Sequence, residues 1–463
     1  MRTSSSWFVV AFALCLGCNT SEGGASPEST AGTTGSDTGG GSTGAPATSD
    51  GTTAADSTGV DESSSGSSTG DSPVEEPCGE GPWTCLPVAP TGPYGSMTFE
   101  VPAAQNWVNT GLFLREGETA TITEEGSWFV NINTGDPIDH GPCLIGDVVA
   151  RIGLHYKDPA LTCVDGEVNF VADKDGILFV GGLPENDLGE TYEARVAAEG
   201  SKTVTVTSDG DTVPTVESVL AADYPFAEVS SGWVEIRGDH VLLTLPAITA
   251  GQDAAALEAS VARLDEIYEL EEELRGARPQ HGQRIRFFPD PDVTPLGYML
   301  AGNPVRMQPV LVQADFDERI SLAGMPGVDI WGFAHELGHD FTFAGRLWWY
   351  QENSLESWPN LFSIYALEAL GVPLHEQVAG CPDSEPVPYD SWDAWDGLCF
   401  LLQFQYSYDW EFYQAFFAEL NAIDPVIVPS GPLAWTFNHD RFETIAGEDI
   451  TPVFEAWAVP NPG

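Results

Sequence analysis

The chain has 463 residues, with 17 Lys and Arg against 70 Asp and Glu, a formal net charge of −53. That excess of acid excludes a surface built to neutralise nucleic-acid phosphates, and a basic patch docked on an anionic membrane. A hydrophobic share of 42%, with 14 Trp and 23 Phe, excludes wholesale disorder, and no apolar run reaches the roughly eighteen residues of a spanning helix.

Arg2 supplies a positive start, and the apolar stretch from Trp7 to Leu16 is too short to span. Residues 1–18 read as a secretion signal, which is set apart from the fold. Its ending, Leu14-Cys15-Leu16-Gly17-Cys18, resembles the lipobox of bacterial lipoproteins, with Cys15 where Leu is usual. The resemblance implies that Cys18 is lipidated and begins the mature chain. The alternative is an ordinary cleaved signal.

Residues 19–76 hold 36 Ser, Thr and Gly among 58 residues, ten acids, and neither Lys nor Arg. A segment this poor in apolar surface cannot offset its ordering entropy, so it is expected to be an extended tether. Six cysteines remain beyond it. In an exported chain they suggest disulfides, and nearest-neighbour pairing gives Cys78/Cys85, Cys143/Cys163 and Cys381/Cys399.

Residues 77–210 read as an all-β domain. Leu112 and Leu114, Ala120 and Ile122, Trp128 and Val130, and Val204 and Val206 alternate with polar residues, and turns separate the runs. Such spacing predicts a sandwich. Gly111-Leu112-Phe113-Leu114-Arg115-Glu116-Gly117-Glu118, followed by Gly126-Ser127-Trp128, resembles the galactose-binding-like jelly-roll domains related to a bacterial galactose-specific calcium lectin. In that family a late Asn/Asp loop holds calcium and sugar. Here the corresponding residues are Asn186 and Asp187, whose oxygens suit a hard cation. A purely structural β domain is the alternative.

From residue 215 the pattern becomes mixed. Strands are expected at Val241 to Leu245, Ile285 to Phe288 and Val310 to Val312. Ala254 to Leu274 reads as an amphipathic helix, with Leu257, Val261, Leu264, Tyr268 and Leu274 on one stripe. Helical patterns dominate from Val328 to the end.

The chemistry lies in Trp331-Gly332-Phe333-Ala334-His335-Glu336-Leu337-Gly338-His339. Histidines four apart on a helix share one face, so His335 and His339 can reach one Zn²⁺. Glu336 lies beside the first ligand, where a general base for the attacking water belongs. Thr342 and Gly345 stand where a metzincin needs Gly and His, which excludes that class. Glu352, Glu356 and Glu368 are the downstream acids available for a third ligand.

The stretch Glu356-Ser357-Trp358-Pro359-Asn360-Leu361-Phe362-Ser363-Ile364-Tyr365, seventeen to twenty-six residues after His339, resembles the enhancin-like zinc metallopeptidases (metallopeptidase family sixty). That family includes viral enhancins and bacterial mucin-type glycopeptidases. Tyr224 to Val229, Val241 to Pro246, Gly297 to Val305, Leu402 to Phe404 and Phe454 to Trp457 resemble it as well. The resemblance implies that Glu356 is the third ligand and Glu336 the base. It also implies an α+β gluzincin-type domain over 215–463, mostly helical after the zinc motif. Leu300 and Asn303 depart from residues common in the family, His and Tyr.

The combined expectation is an exported zinc endopeptidase, held at a bacterial surface by a lipid on Cys18. Glycoprotein or mucin-like substrates are implied by the resemblance. One catalytic zinc, a candidate calcium in the β domain, a candidate glycan contact, no nucleic-acid partner and a monomeric state complete the expectation. The alternatives are a catalytically silent glycan-binding adhesin and a peptidase of unglycosylated peptides. Trp348, Trp349, Tyr350 and Trp358 are candidates to line a cleft or to fill the core. Tyr298, His375 and His439 are candidate transition-state stabilisers, each with a packing or surface role as its alternative.

Overall fold

The structure is a computed structural model that describes residues 91–103, 107–132, 143, 147–155, 161–182, 195–252, 254–279, 282–295, 298–309, 328–343, 356–372, 374, 376–423 and 432–460. Alternating apolar residues build its first layer. The strands are β1 (Pro93–Pro102), β2 (Trp107–Leu114), β3 (Thr119–Ile132), β4 (Val148–Ile152), β5 (Thr162–Val164), β6 (Glu167–Val171), β7 (Gly176–Gly181) and β8 (Arg195–Thr212). They pair antiparallel into one eight-stranded sheet in the order β5-β4-β7-β2-β8-β3-β6, with β1 also on β8. The apolar pairs predicted for this region fall in β2, β3 and β8.

Adjacent strands β4, β7 and β2 are buried on both faces, which is why their sequences read as near-continuous apolar runs. Leu112, Ile152, Leu178 and Val180 fill one core. Side chains of the opposite parity, Phe113, Val149, Ile177 and Phe179, pack with Phe288 of the following sheet. Cys143 and Cys163 are joined as expected, and so are Cys381 and Cys399. Cys78 and Cys85 lie outside the described residues.

The second sheet follows at once. Its strands are β9 (Thr215–Glu217), β10 (Trp233–Arg237), β11 (Val241–Pro246), β12 (Ile285–Pro289), β13 (Met299–Leu300) and β14 (Val305–Met307), in the order β13-β14-β12-β11-β10-β9. β11, β12 and β14 run parallel, while β13 closes the described end as an antiparallel edge. Helix α1 (Ala254–Arg275) makes the crossover from β11 to β12 that parallel pairing demands. Leu257, Val261, Leu264, Tyr268 and Leu274 are all buried, as the predicted stripe requires. The strand expected at Val310 to Val312 lies outside the described residues.

The two sheets share buried polar contacts as well as the aromatic contact at Phe288. Arg286 on β12 pairs with Glu235 on β10. Glu235 also accepts from Asn109 of β2 at 3.1 Å, and Arg306 donates to the Leu154 carbonyl at 2.9 Å. Buried charges persist only when paired and hydrogen-bonded, and these are.

Helices follow the second sheet: α2 (Val328–Phe343), α3 (Ser357–Ala369), α4 (Ala394–Tyr408), α5 (Trp410–Asn421), α6 (Pro432–Ala446) and α7 (Thr451–Ala456). Asp393 and Asp396 cap α4 reciprocally. Trp358 is 1% exposed and stacks on Phe416 at 5.9 Å and Trp435 at 6.4 Å. It belongs to this aromatic core and lines no cleft. Among the described residues no helix is long and apolar enough to cross a membrane.

Candidate metal centre

The apolar residues Ile330, Phe333, Ala334, Leu337 and Phe341 bury one side of α2. That anchoring turns His335 and His339 together, with ring centroids 4.7 Å apart and the rings nearly perpendicular. Both histidines are buried, at 8% and 7% exposure. The third group comes from the next helix. Glu356 is the N-cap residue of α3, just before its first turn. Pro359 falls inside that turn, where its missing N–H has no intrahelical partner to lose.

Gly338 sets how closely α3 crosses α2. A Cβ at this position would stand 2.6 Å from the Pro359 carbonyl oxygen and 3.2 Å from Phe362 Cβ. Only a glycine admits the crossing, and the crossing brings Glu356 to the histidines. Glu356 Oε2 lies 2.9 Å from His335 Nε2 and 3.4 Å from His339 Nε2. Tetrahedral ligands about 2.0–2.1 Å from one ion stand about 3.3 Å apart, so these three atoms fit one Zn²⁺. Among the described residues they form the one group of His, Cys, Asp or Glu near enough together to hold a metal.

Behind these three groups stands Asn360, which is not among the sequence candidates. Its Oδ1 accepts from His335 Nδ1 at 2.7 Å and from Trp331 Nε1 at 3.0 Å. With Nδ1–H so engaged, Nε2 is the atom His335 presents to a metal. The signal was in plain view. Trp331 precedes His335 by one helical turn, and Asn360 follows Glu356 by one.

Electrostatics match the geometry. Burial works against ionisation of Glu356, but His339 and His335 beside it outweigh that and hold its carboxyl well below the usual range. Burial lowers the affinity of His335 for a proton, and the Glu356 hydrogen bond and charge, with Glu336 and Asn360, raise it further than burial lowers it. Glu336 shows the opposite balance to Glu356. Desolvation lifts its pKa, against the pull of both histidines and of the Ala301 N–H. Ala301 follows the edge strand β13, so the carboxylate sits under that edge.

Residues 226–458, just over half of the chain, match the family described as Peptidase M60, enhancin and enhancin-like. The chain belongs to the M60 peptidase family. The chain is 24% identical to TRPM8 channel-associated factor 3 of Rattus norvegicus over 391 residues, which covers 79% of this chain and 39% of that protein. It thus spans about two-fifths of that relative's length. A functionally unknown conserved protein from Bacillus anthracis str. Ames shares the fold at a TM-score of 0.56 and 15% identity, covering 79% of this chain and 76% of that one. A metallopeptidase in complex with Tn antigen shares it at 0.52 and 15% identity, covering 78% of this chain and 67% of that one.

The other candidate residues of this M60 peptidase fall elsewhere. Glu368, one of the three downstream acids, sits at the far end of α3 and accepts from Trp410 Nε1 at 2.8 Å. His439 is buried edge-on against Phe454 at 4.7 Å, its Nε2 3.2 Å from Thr451 Oγ1. It packs the C-terminal helices. Tyr298 is half-buried against the main core. Cys18, Asn186, Asp187, Trp348, Trp349, Tyr350, Glu352 and His375 lie outside the described residues.

Proposed function

We propose that this M60 peptidase is a zinc endopeptidase of extracellular glycoproteins, held at the cell surface by a lipid on Cys18 ahead of the Ser/Thr/Gly-rich residues 19–76. The observation that carries the catalytic reading is the convergence of His335, His339 and Glu356, with Glu336 adjoining but outside the set. Bound zinc would supply Lewis acidity toward the scissile carbonyl and a lowered pKa for the attacking water. Asn360 keeps His335 aimed at the metal position. Glu336, raised in proton affinity by its surroundings, takes a proton from water and hands it to the leaving amine. β13 ends the described sheet beside Glu336, and an extended peptide can add to such an edge by main-chain hydrogen bonds.

The glycoprotein reading rests on family membership and on a fold shared with a metallopeptidase that binds Tn antigen. The N-terminal sheet, in this reading, is a galactose-binding-like jelly roll that accompanies the peptidase. The deciding experiment compares cleavage of one peptide with and without a single O-linked sugar. Cleavage of the glycosylated form alone, or at least about tenfold faster, is the expected result. Equal cleavage of both forms overturns the glycan requirement, and glycan binding without cleavage of either makes the protein a silent adhesin.

The tether reading has its own measurement. The native chain is expected to partition into detergent, and Cys18→Ser to release it as a soluble exported form. Equal partition of the two forms would assign residues 1–18 to an ordinary cleaved signal.

A further inference from the structure

Trp331 stands half-buried on α2, one turn before His335. Its indole Nε1 lies 3.0 Å from Asn360 Oδ1, and the same oxygen lies 2.7 Å from His335 Nδ1. An indole N–H donates and never accepts, so the Asn360 atom it meets is the carboxamide oxygen. That oxygen also faces His335, where it accepts only from a protonated Nδ1. Each assignment forces the next, and the last leaves the Nε2 lone pair as the metal donor.

Among the described residues no other group bonds to the Asn360 side chain. A carboxamide has nearly the same shape either way round, with its oxygen and NH₂ exchanged. Turned round, Asn360 would donate to a bare Nδ1 and so favour the ring proton on Nε2. Glu356 favours that proton too, since its Oε2 stands 2.9 Å from Nε2. A proton held there occupies the lone pair that a metal needs.

We propose that Trp331 is a positioning residue, whose indole N–H holds the Asn360 carboxamide oxygen-first toward His335 Nδ1 and so keeps Nε2 for zinc. This rests on the reading of His335, His339 and Glu356 as zinc ligands. It adds a residue that is not among those ligands.

The indole is itself held. Its ring meets Trp395 of α4 at 5.7 Å, tilted by 43°. Trp395 lies in the capped first turn of α4, its backbone N–H donating to Asp393 Oδ1 at 2.8 Å. Ser357, which opens α3 beside Glu356, donates to the Ala394 carbonyl at 3.1 Å. The start of α4 is thus tied to the helix that carries Asn360.

Two substitutions separate this role from packing. Trp331→Phe keeps an aromatic ring against Trp395 and removes the N–H. Asn360→Asp puts an oxygen at both ends of the side chain, so either end accepts from Nδ1–H. Zinc affinity is measured in the full chain by competition with a chromophoric chelator, for wild type, both single variants and the double variant. Trp331→Phe is expected to bind zinc about fivefold more weakly when Asn360 is present, as when about one molecule in five keeps the competent orientation. In the Asn360→Asp background the same change is expected to alter affinity by less than about twofold. A ring that only packs would cost the same in both backgrounds.

Equal losses in the two backgrounds, or no loss from Trp331→Phe when Asn360 is present, overturn the proposal. Should Trp331→Phe fail to fold, benzothienylalanine at the same position, which keeps both rings and replaces the N–H by sulfur, completes the comparison. Histidine nitrogen NMR of the zinc-loaded wild type needs no variant. His335 is expected to carry its proton on Nδ1, and a bare Nδ1 overturns the proposal. Cleavage enters none of these readouts. A wild type that binds no zinc would overturn the metal reading itself, whereas zinc binding with equal losses overturns this proposal alone.

Discussion

Glu336→Gln is expected to leave the fold and the zinc in place while turnover falls by on the order of a hundredfold or more. The side chain adjoins His335 in sequence but is not among the three groups whose donor atoms converge. Its carboxylate receives the Ala301 N–H instead. The Gln amide oxygen can accept that same hydrogen bond, so the substitution removes proton transfer and little else. Desolvation already raises the Glu336 pKa, which brings its proton affinity closer to what a base near neutral pH requires. Turnover and zinc content measured on the same preparation decide the matter. Loss of zinc with Glu336→Gln would make this residue a ligand, and full activity would remove it from the reaction.

Glu356→Gln is expected to do the reverse, weakening zinc binding by about a hundredfold, with activity lost because the metal leaves. Glu356 supplies the one anionic donor of the set, 2.9 and 3.4 Å from the two ring nitrogens. Its carboxyl is held ionised far into the acid range, and the neutral amide would forfeit that charge. Asn360→Ala provides the graded comparison. It leaves all three ligands but frees the His335 ring, so a loss of about tenfold is expected. Chelator competition on the three proteins gives the order. Wild-type affinity in Glu356→Gln would move the third ligand to Glu352, because Glu368 is occupied with Trp410.

The contrast between the two glutamates shows where local pattern suffices. Four-residue spacing on a helix is a short-range geometric fact, so His335 and His339 could be assigned to one face before any fold was known. The same holds for the α1 stripe, for the alternation in β2 and β8, and for the start of α3 near Pro359. Two of the three nearest-neighbour cysteine pairs were legible for the same reason, since short loops close easily.

Other assignments depended on partners distant in the chain. Trp358 reads equally well as a cleft aromatic or a core aromatic, and only the arrival of Phe416 and Trp435 makes it core. Composition likewise presented the β region and the peptidase region as separate pieces. In the fold, Asn109, Glu235 and Arg286 join them through one buried network.

Residue types, their spacing and a resemblance over half the chain were enough to single out His335, His339 and Glu356 as a candidate metal set and Glu336 as a candidate base, and to point to the family. Periodicity records which face a side chain occupies, and His335, Glu336 and His339 lie within two turns of one helix. Spacing alone left Glu352, Glu356 and Glu368 equivalent. The close crossing at Gly338 is what seats Glu356 beside the histidines, gives Asn360 its hold on His335, and leaves Glu368 at the far end of α3. Such choices are made by contacts between helices, where one missing Cβ decides which side chains can meet, and no periodicity within either helix encodes that.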